Sequence, residues 1–166
     1  MSGVTHDRIS ILAATEADGP GTSWVRGLRP GAEITLLAGR HAPLRGAEDG
    51  RLCLGDGSTL GTIDALARDA HQALAVIEVP AEAIASLAPL FPRIRFVGAT
   101  GVTGDALQAW LHAAVEEGAV APRAGAHLLG HAQSIQRRRR TLLDGQVLDR
   151  RTISSRPYGA TGRRGL

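Results

Sequence analysis

The sequence of 166 residues predicts an α/β fold, in which an open parallel sheet carries helices on both faces and follows a short β-rich segment. From Arg51 onward, strand-like and helix-like stretches alternate at short spacing, which is typical of a parallel sheet. Leu74–Val79 (LAVIEV) is almost continuously apolar and β-branched, as expected for a strand covered on both faces. Ala106–Val115 repeats apolar residues at helical spacing and predicts a helix that packs on such a sheet.

The first 45 residues predict two strands and one helix. Arg8–Ala13 (RISILA) and Glu33–Ala38 (EITLLA) have the pattern of short strands, and Gly21–Leu28 between them fits a short helix. Arg29–Gly31 (RPG) predicts a turn. We therefore expect a small β-rich segment over residues 1–45 and an α/β domain over residues 46–166.

The α/β domain is predicted from apolar runs and from the glycines and prolines between them. The predicted strands are Arg51–Leu54, Leu74–Val79, Arg93–Val97, Ala126–Leu129 and Arg151–Ser154. The predicted helices are Thr62–Gln72, Pro80–Leu87, Ala106–Val115 and Ala132–Leu143. In parallel sheets of this kind, ligands bind at the carboxyl ends of the strands, near the point where the strand order reverses. The loops after the five strands are therefore the candidate binding region.

The composition excludes several kinds of chemistry. All 19 Lys or Arg positions are arginine, which excludes a lysine Schiff base and a phosphate-loop lysine. The single cysteine, Cys53, lies in an apolar strand and is interpreted as a core residue. The six histidines show no metal-ligand spacing, so we predict no metal site and identify no catalytic residue. Two Trp, two Phe and one Tyr are too few for a surface that stacks nucleic-acid bases.

Charge is distributed unevenly along the chain. Residues 1–132 hold 10 Arg and 14 Asp or Glu, a net charge of −4, whereas residues 133–166 hold 9 Arg and 2 Asp, a net charge of +7. A basic region of this kind attracts phosphates, carboxylates or an anionic partner. A solvated arginine-rich surface explains the same pattern equally well.

Two glycine-containing segments follow predicted strands and are candidate binding loops. In Gly55–Gly61 (GDGSTLG), glycine lets the backbone approach a pyrophosphate, and Ser58 or Thr59 is a candidate cap for the next helix. A simple strand-to-helix turn fits this loop equally well, because the spacing is not G-x-G-x-x-G. The second segment, Gly130–Ala132, leads into the last predicted helix.

Helical geometry separates the four consecutive arginines of that helix. At about 100° per residue, one apolar arc contains Ala132, Ile135, Leu142 and Leu143. Arg139 is predicted inside this arc and Arg138 at its border, whereas Arg137 and Arg140 point away. We expect Arg139 either to extend its charged end to solvent or to pair with an anion.

The C-terminal segment Arg151–Leu166 is a third candidate. Its Ser154, Ser155, Arg156 and Tyr158 follow the predicted end of a strand, where ligand contacts belong. A disordered tail is the alternative interpretation.

Five short motifs resemble, in the same order, those of a known family. They are GPGTSWV…RPG at Gly19–Gly31, GDGSTLGTI at Gly55–Ile63, IEVP at Ile77–Pro80, GHA at Gly130–Ala132 followed by Arg139-Arg140, and ISSRPYGATG at Ile153–Gly162. They are similar to G-P-A-x-x-W-A…x-P-G-D, G-D-E-T-A-L-P-A-I, V-E-V-P, G-E-A with paired basic residues, and S-x-S-G-Y-W-x-x-G of the siderophore-interacting proteins. These are flavin-dependent ferric-siderophore reductases related to ferredoxin reductases.

The resemblance implies an oxidoreductase that uses NADH or NADPH, together with FAD, to reduce iron in an anionic ferric siderophore. It implies that residues 46–166 form the NAD(P)H-binding domain and that residues 1–45 are the end of a flavin barrel. The implied cofactor-binding residues are Gly55, Asp56, Gly57, Ser58 and Thr59 near the pyrophosphate, Gly130, His131 and Ala132 near the nicotinamide ribose, and Tyr158 near the flavin or nicotinamide. The implied contacts to the anionic substrate are Arg139 and Arg156.

The sequence also departs from the family pattern. The R-x-Y-T flavin signature of the barrel has no counterpart here, so a separate flavin-binding chain is a predicted partner. His131 replaces a glutamate, Arg138 replaces an apolar residue and Gly159 replaces a tryptophan. NADH and NADPH both stay open, although Glu78 at a strand end disfavours a 2′-phosphate by analogy with dinucleotide-binding folds.

Two other functions stay open at this stage. A non-catalytic nucleotide- or partner-binding module derived from such a reductase fits the missing flavin signature. Nucleic-acid binding through Arg137–Arg140 and the C-terminal tail is less favoured, because residues 1–132 are acidic and aromatic residues are scarce. The N-terminus has no signal-peptide pattern and no apolar run reaches the ~18–20 residues of a membrane span, so we expect a cytoplasmic protein.

Overall fold

The chain divides into two compact units, Met1–Arg45 and Gly46–Leu166. A computed structural model describes residues 4–5, 8–9, 11, 13, 15, 19–35, 50–69, 72–120 and 125–161. In the first unit, Val4–Thr5 (β1) and Arg8–Ile9 (β2) form an antiparallel pair, and Pro20–Gly27 forms helix α1.

Among the described residues of the first unit, several positions that the sequence predicts as strand lie outside any strand. Of the predicted strand Arg8–Ala13, Arg8 and Ile9 form β2, Ile11 and Ala13 lie outside any strand, and residues 10 and 12 lie outside the described residues. Residues 33–35 of the predicted strand Glu33–Ala38 form no strand either, and residues 36–38 lie outside the described residues. An apolar pattern predicts a strand only where a partner strand is available to accept its hydrogen bonds.

The second unit is built on a five-stranded sheet. Its strands are Arg51–Asp56 (β3), Leu74–Val79 (β4), Ile94–Gly98 (β5), Gly125–His131 (β6) and Ile153–Gly159 (β7). Its helices are Leu60–Asp69 (α2), Ile84–Leu87 (α3), Asp105–Glu116 (α4) and Ala132–Asp144 (α5). The strand order is β5-β4-β3-β6-β7 and every pairing is parallel, which confirms the predicted α/β class and its parallel sheet.

Alternate residues of the strands face opposite helical layers. One face carries Leu52, Leu54, Val76, Ala126, Leu128 and Ile153, which form the main core with Leu107, Leu111, Ile135 and Leu142 of α4 and α5. On the other face, α2 packs against β3 and β4, and its Ile63 is completely buried. Helices therefore cover both faces, as the sequence predicts.

Several element boundaries differ from the prediction, and pairing between strands accounts for the longer β3. β3 continues through Gly55 and Asp56, which pair in register with Ile77 and Glu78 of β4. The predicted helix Pro80–Leu87 is instead a 3₁₀ turn at Ala81–Ala83 followed by the single turn α3. The ends of these elements depend on neighbouring strands, which local sequence does not encode.

Candidate functional site

The strand order reverses between β3 and β6. From β3, the chain builds the sheet in one direction through β4 and β5, and then returns to the other side of β3 to add β6 and β7. The carboxyl ends of β3 and β6 are the point at which such sheets bind ligands. The two predicted glycine-containing segments, Gly55–Thr59 and Gly130–Ala132, both lie at this point.

The carboxylate of Asp56 joins these two segments. One oxygen, Oδ1, accepts hydrogen bonds from the backbone N–H of Ser58 at 3.1 Å and from its hydroxyl at 2.5 Å. The other oxygen, Oδ2, accepts the backbone N–H of His131 at 2.9 Å. Thr59 donates its hydroxyl to the backbone carbonyl of Asp56 at 2.7 Å. The end of β3 and the start of α5 are thus held together by one acidic side chain.

Two glycines are required for this arrangement. A Cβ at Gly55 would lie 2.0 Å from Thr59 Oγ1 and 2.6 Å from Ile63 Cδ1, so only glycine lets α2 approach β3 this closely. Gly130 has a φ of 102°, in the left-handed region, and a Cβ there would lie 2.1 Å from Asp56 Oδ2. These contacts give the two positions a structural role in bringing the loops together.

Gly57 differs from these two glycines because a side chain there would collide with nothing. Gly57 and Ser58 are exposed, and a Cβ at Gly57 would meet only Val79 Cγ1, at 3.8 Å. The 3₁₀ turn Gly57–Thr59 leads directly into the start of α2. The N–H of Ser58 is hydrogen-bonded to Asp56, so the exposed backbone of Gly57 is the part of this turn that is compatible with the pyrophosphate of a dinucleotide.

The end of β7 contacts the starts of α2 and α5. The Tyr158 hydroxyl hydrogen-bonds that of Thr62 at 2.9 Å, and 40% of Tyr158 is exposed. The Thr161 hydroxyl hydrogen-bonds His131 Nε2 at 3.0 Å. Sequence reasoning identified Tyr158 and His131 but missed Thr62 and Thr161, because these pairs are separated by 96 and 30 residues.

The prediction that Ser154, Ser155, Arg156 and Tyr158 follow the end of a strand is wrong, because all four lie within β7. The pairing of β7 with β6 runs from Ile153 to Gly159, across a register shift at Gly130 and His131. Proline has no backbone N–H and therefore usually ends a strand. Pro157 is tolerated within β7 because β7 is an edge strand. Arg156 is half-buried and pairs in register with Leu129.

The structure also corrects the prediction for the arginines of α5. Arg138, not Arg139, is the buried residue, whereas Arg139 is half-buried and makes no hydrogen bond or ion pair with any described residue. The buried residues of α5 are Ser134, Ile135, Arg138 and Leu142. The predicted arc was displaced because the small polar Ser134 is buried, while Ala132 and Leu143 are only half-buried. Arg137 and Arg140 are exposed, as predicted.

The exposed Arg137 contacts the loop before α4. Its guanidinium donates to Asp105 Oδ1 at 2.6 Å and to the carbonyl of Thr103 at 3.2 Å. A groove of about 480 Å³ lies beside this helix pair, between α4 and α5, and includes Gln108, His112, Arg140 and Thr141. None of the predicted cofactor- or substrate-binding residues lines this groove.

Glu78, at the carboxyl end of β4, is 4% exposed. Its two carboxylate oxygens accept the backbone N–H groups of Gly104 at 2.6 Å and Leu107 at 2.8 Å, so it caps the start of α4. Both oxygens are engaged inside the protein. The structure therefore gives Glu78 no role in selecting between NADH and NADPH.

Cys53 and His127 are buried side by side, in register on β3 and β6. Burial raises the pKa of the Cys53 thiol to about 11, which confirms its interpretation as a core residue and not a nucleophile. Burial, and secondarily the positive charge of Arg51, lower the pKa of His127 to about 4.

In the described part of the chain, no three His, Cys, Asp or Glu side chains group closely enough to hold a metal ion. Likewise, none of the described helices has the length and apolarity needed to cross a membrane.

Comparison with known proteins finds similarity at the level of structure. No protein-family model and no curated protein matches the chain. A siderophore utilization protein from T. fusca matches with a TM-score of 0.59 and 21% identity, over 93% of this chain and 61% of that one. The chain has the fold of the siderophore-interacting proteins. The siderophore-interacting protein from Acinetobacter baumannii likewise matches with a TM-score of 0.57 and 15% identity, over 94% of this chain and 64% of that one.

The siderophore-interacting fold confirms the resemblance that the sequence motifs indicate. The chain spans less than two thirds of the length of these two proteins.

Proposed function

We propose that Gly46–Leu166 binds NADH or NADPH at the carboxyl ends of β3 and β6, and serves NAD(P)H-dependent reduction of ferric siderophores. The observation that carries the proposal is the 2.9 Å hydrogen bond between Asp56 and His131, which unites the two glycine-containing loops where the strand order reverses. The fold shared with siderophore-interacting proteins supports the choice of an iron–siderophore substrate.

Each part of the site has a proposed task. The exposed backbone of Gly57, in the turn that leads into α2, would receive the pyrophosphate. His131 and Ala132 would lie beside the nicotinamide ribose, and the half-exposed ring of Tyr158 would stack on a cofactor ring. Bound nicotinamide and flavin supply the hydride- and electron-transfer chemistry, while the protein binds and orients them.

We place FAD on a flavin-binding chain or segment beyond the described residues. Arg139 and Arg156 are the proposed contacts to the anionic ferric siderophore, since an arginine fork suits carboxylate and catecholate-type oxygens. The net charge of +7 over residues 133–166 would favour approach of such an anion.

The nucleotide site is tested by the variant Gly57→Ala, with Gly61→Ala as the matched control. A methyl at Gly57 fits the folded chain but adds bulk to the exposed turn that the pyrophosphate would contact, so the Kd for NADH or NADPH should rise about tenfold. Gly61 lies in α2, and a methyl group there would have nothing within 4 Å, so its alanine variant should keep the native affinity. Titration calorimetry on both variants measures the difference.

Equal affinity in the two variants, or no nucleotide binding by the native chain, would contradict the proposed site. Catalysis is measured separately, as NAD(P)H oxidation after addition of FAD and a ferric siderophore. Oxidation that depends on all three components supports the reductase. Nucleotide binding without oxidation would instead support the alternative, a non-catalytic nucleotide-binding module.

A further inference from the structure

Arg138 is a buried charge that the proposed nucleotide site does not use. It lies near the middle of α5 and is 1% exposed, so its guanidinium does not reach solvent. Its Nε, Nη1 and Nη2 atoms have no hydrogen-bond partner among the described residues. Burial of an uncompensated cation costs several kcal/mol, so the fold requires negative charge nearby.

Two carboxylates supply that negative charge. Glu78 and, more weakly, Asp56 act electrostatically on Arg138 and oppose the lowering of its pKa that burial causes. Contact geometry places the guanidinium beside the backbone that Glu78 holds, because a Cβ on Gly104 would lie 3.2 Å from Arg138 Nη2. The positive charge of Arg137 repels that of Arg138 and lowers the pKa of Arg138. The guanidinium of Arg137 is itself paired with Asp105.

The same two carboxylates hold the loops around the candidate site. Glu78 binds the backbone N–H groups of Gly104 and Leu107 and thereby fixes the start of α4. Asp56 binds the backbone N–H of His131 and thereby fixes the junction of β6 and α5. Arg138 therefore lies beside the backbone that Glu78 holds and acts electrostatically on both acids of this edge of the sheet.

We propose that Arg138 is a positioning residue for the candidate site: its buried charge holds Asp56 and Glu78 as acceptors for the backbone of the surrounding loops. Without that charge, the buried Glu78 would be an uncompensated carboxylate in a low-dielectric environment, and the half-buried Asp56 would lose an attraction that opposes its movement towards water. The loops that these acids bind would then lose their fixed positions. Only the effect on nucleotide affinity rests on the proposed function.

Amide hydrogen exchange tests the positioning role directly. The variants are Arg138→Met, which keeps length without charge, Arg138→Lys, which keeps charge, and Arg140→Met, an exposed control on the same helix. In Arg138→Met, the amides of His131, Gly104 and Leu107 should exchange at least tenfold faster relative to the core amide of Leu54. In Arg138→Lys, the exchange rates of these amides should stay within about threefold of those in the native chain. In the Arg140→Met control, the exchange rates should not change.

The proposal would be overturned if these three amides were as well protected in Arg138→Met as in the native chain. It would also be overturned if the amide of Leu54 exchanged faster to the same extent. If Arg138→Met does not fold, the double variant Arg138→Met/Glu78→Gln should, because it removes the cation together with its main counter-charge. Failure of this double variant to fold would also count against the charge-compensation role.

Nucleotide affinity provides a second and separable measurement. Although Arg138 is too deeply buried to touch a ligand, Arg138→Met should raise the Kd for NADH or NADPH at least fivefold, and Arg138→Lys should restore it. A native Kd in the methionine variant would overturn the link to the site. If the native chain binds neither nucleotide, the proposed function fails while the exchange measurement still decides the role of Arg138.

Discussion

At the residue scale, His127 couples the stability of the sheet to pH. Its side chain is 2% exposed in β6, with Nε2 at 3.4 Å from Arg51 Nη1 and with Cys53 opposite in register. The pKa of His127 falls from 6.5 to about 4 on folding, so the unfolded chain takes up a proton first as the pH is lowered. The stabilisation is complete above pH 6.5 and is lost progressively as the pH falls towards 4.

We expect His127 to account for a loss of roughly 3 kcal/mol in the free energy of unfolding between pH 7 and pH 4. Urea denaturation at several pH values measures this loss in the native chain and in His127→Gln, whose side chain does not titrate. The variant should lack this part of the pH dependence. Parallel pH profiles for the two proteins would show that His127 does not titrate between the folded and unfolded states in this range.

At the element scale, the junction between β6 and α5 depends on Gly130. Its φ of 102° and its contact with Asp56 make alanine unfavourable twice, through backbone strain and through collision with the carboxylate. Gly130→Ala should therefore lower the free energy of unfolding by about 1–3 kcal/mol. Gly159→Ala, at the end of β7 with nothing within 4 Å, is the matched control and should change it by less than about 0.5 kcal/mol. Chemical denaturation distinguishes the two, and equal stabilities would contradict the required left-handed conformation.

At the scale of the whole molecule, stability resides in the second unit. Every buried hydrophobic residue that the structure describes lies between Leu52 and Ile153. We therefore expect a chain beginning at Gly46 to unfold cooperatively, with a Tm within about 3 °C of the full chain. Calorimetry measures both transitions. A broad or strongly lowered transition in the shortened chain would show that Met1–Arg45 contributes to the stability of the sheet.

Local sequence was sufficient for the class of the second unit and for its strand order along the chain. The continuous apolar run of β4 and the helical spacing of Leu107 and Leu111 determined a parallel sheet with packed helices, because burial imposes these periods on neighbouring residues. The glycines of the two loops were also visible in the sequence, and the motifs around them indicated the siderophore-interacting fold. Such signals are carried by residues that are adjacent along the chain.

Only the tertiary structure decided which of these residues act together. The hydrogen bond of Asp56 to His131 crosses 75 positions, and Pro157 belongs to a strand because β6 pairs with it. Helical periodicity alone selected Arg139 for the apolar arc, whereas packing of Ser134 against the loop before α4 turned Arg138 inward instead. The sequence by itself determined the fold class and the position of the loops, since both follow from local patterns of burial. Their joining by Asp56, and the burial of Arg138 near two carboxylates, depend on contacts that form only when distant segments pack.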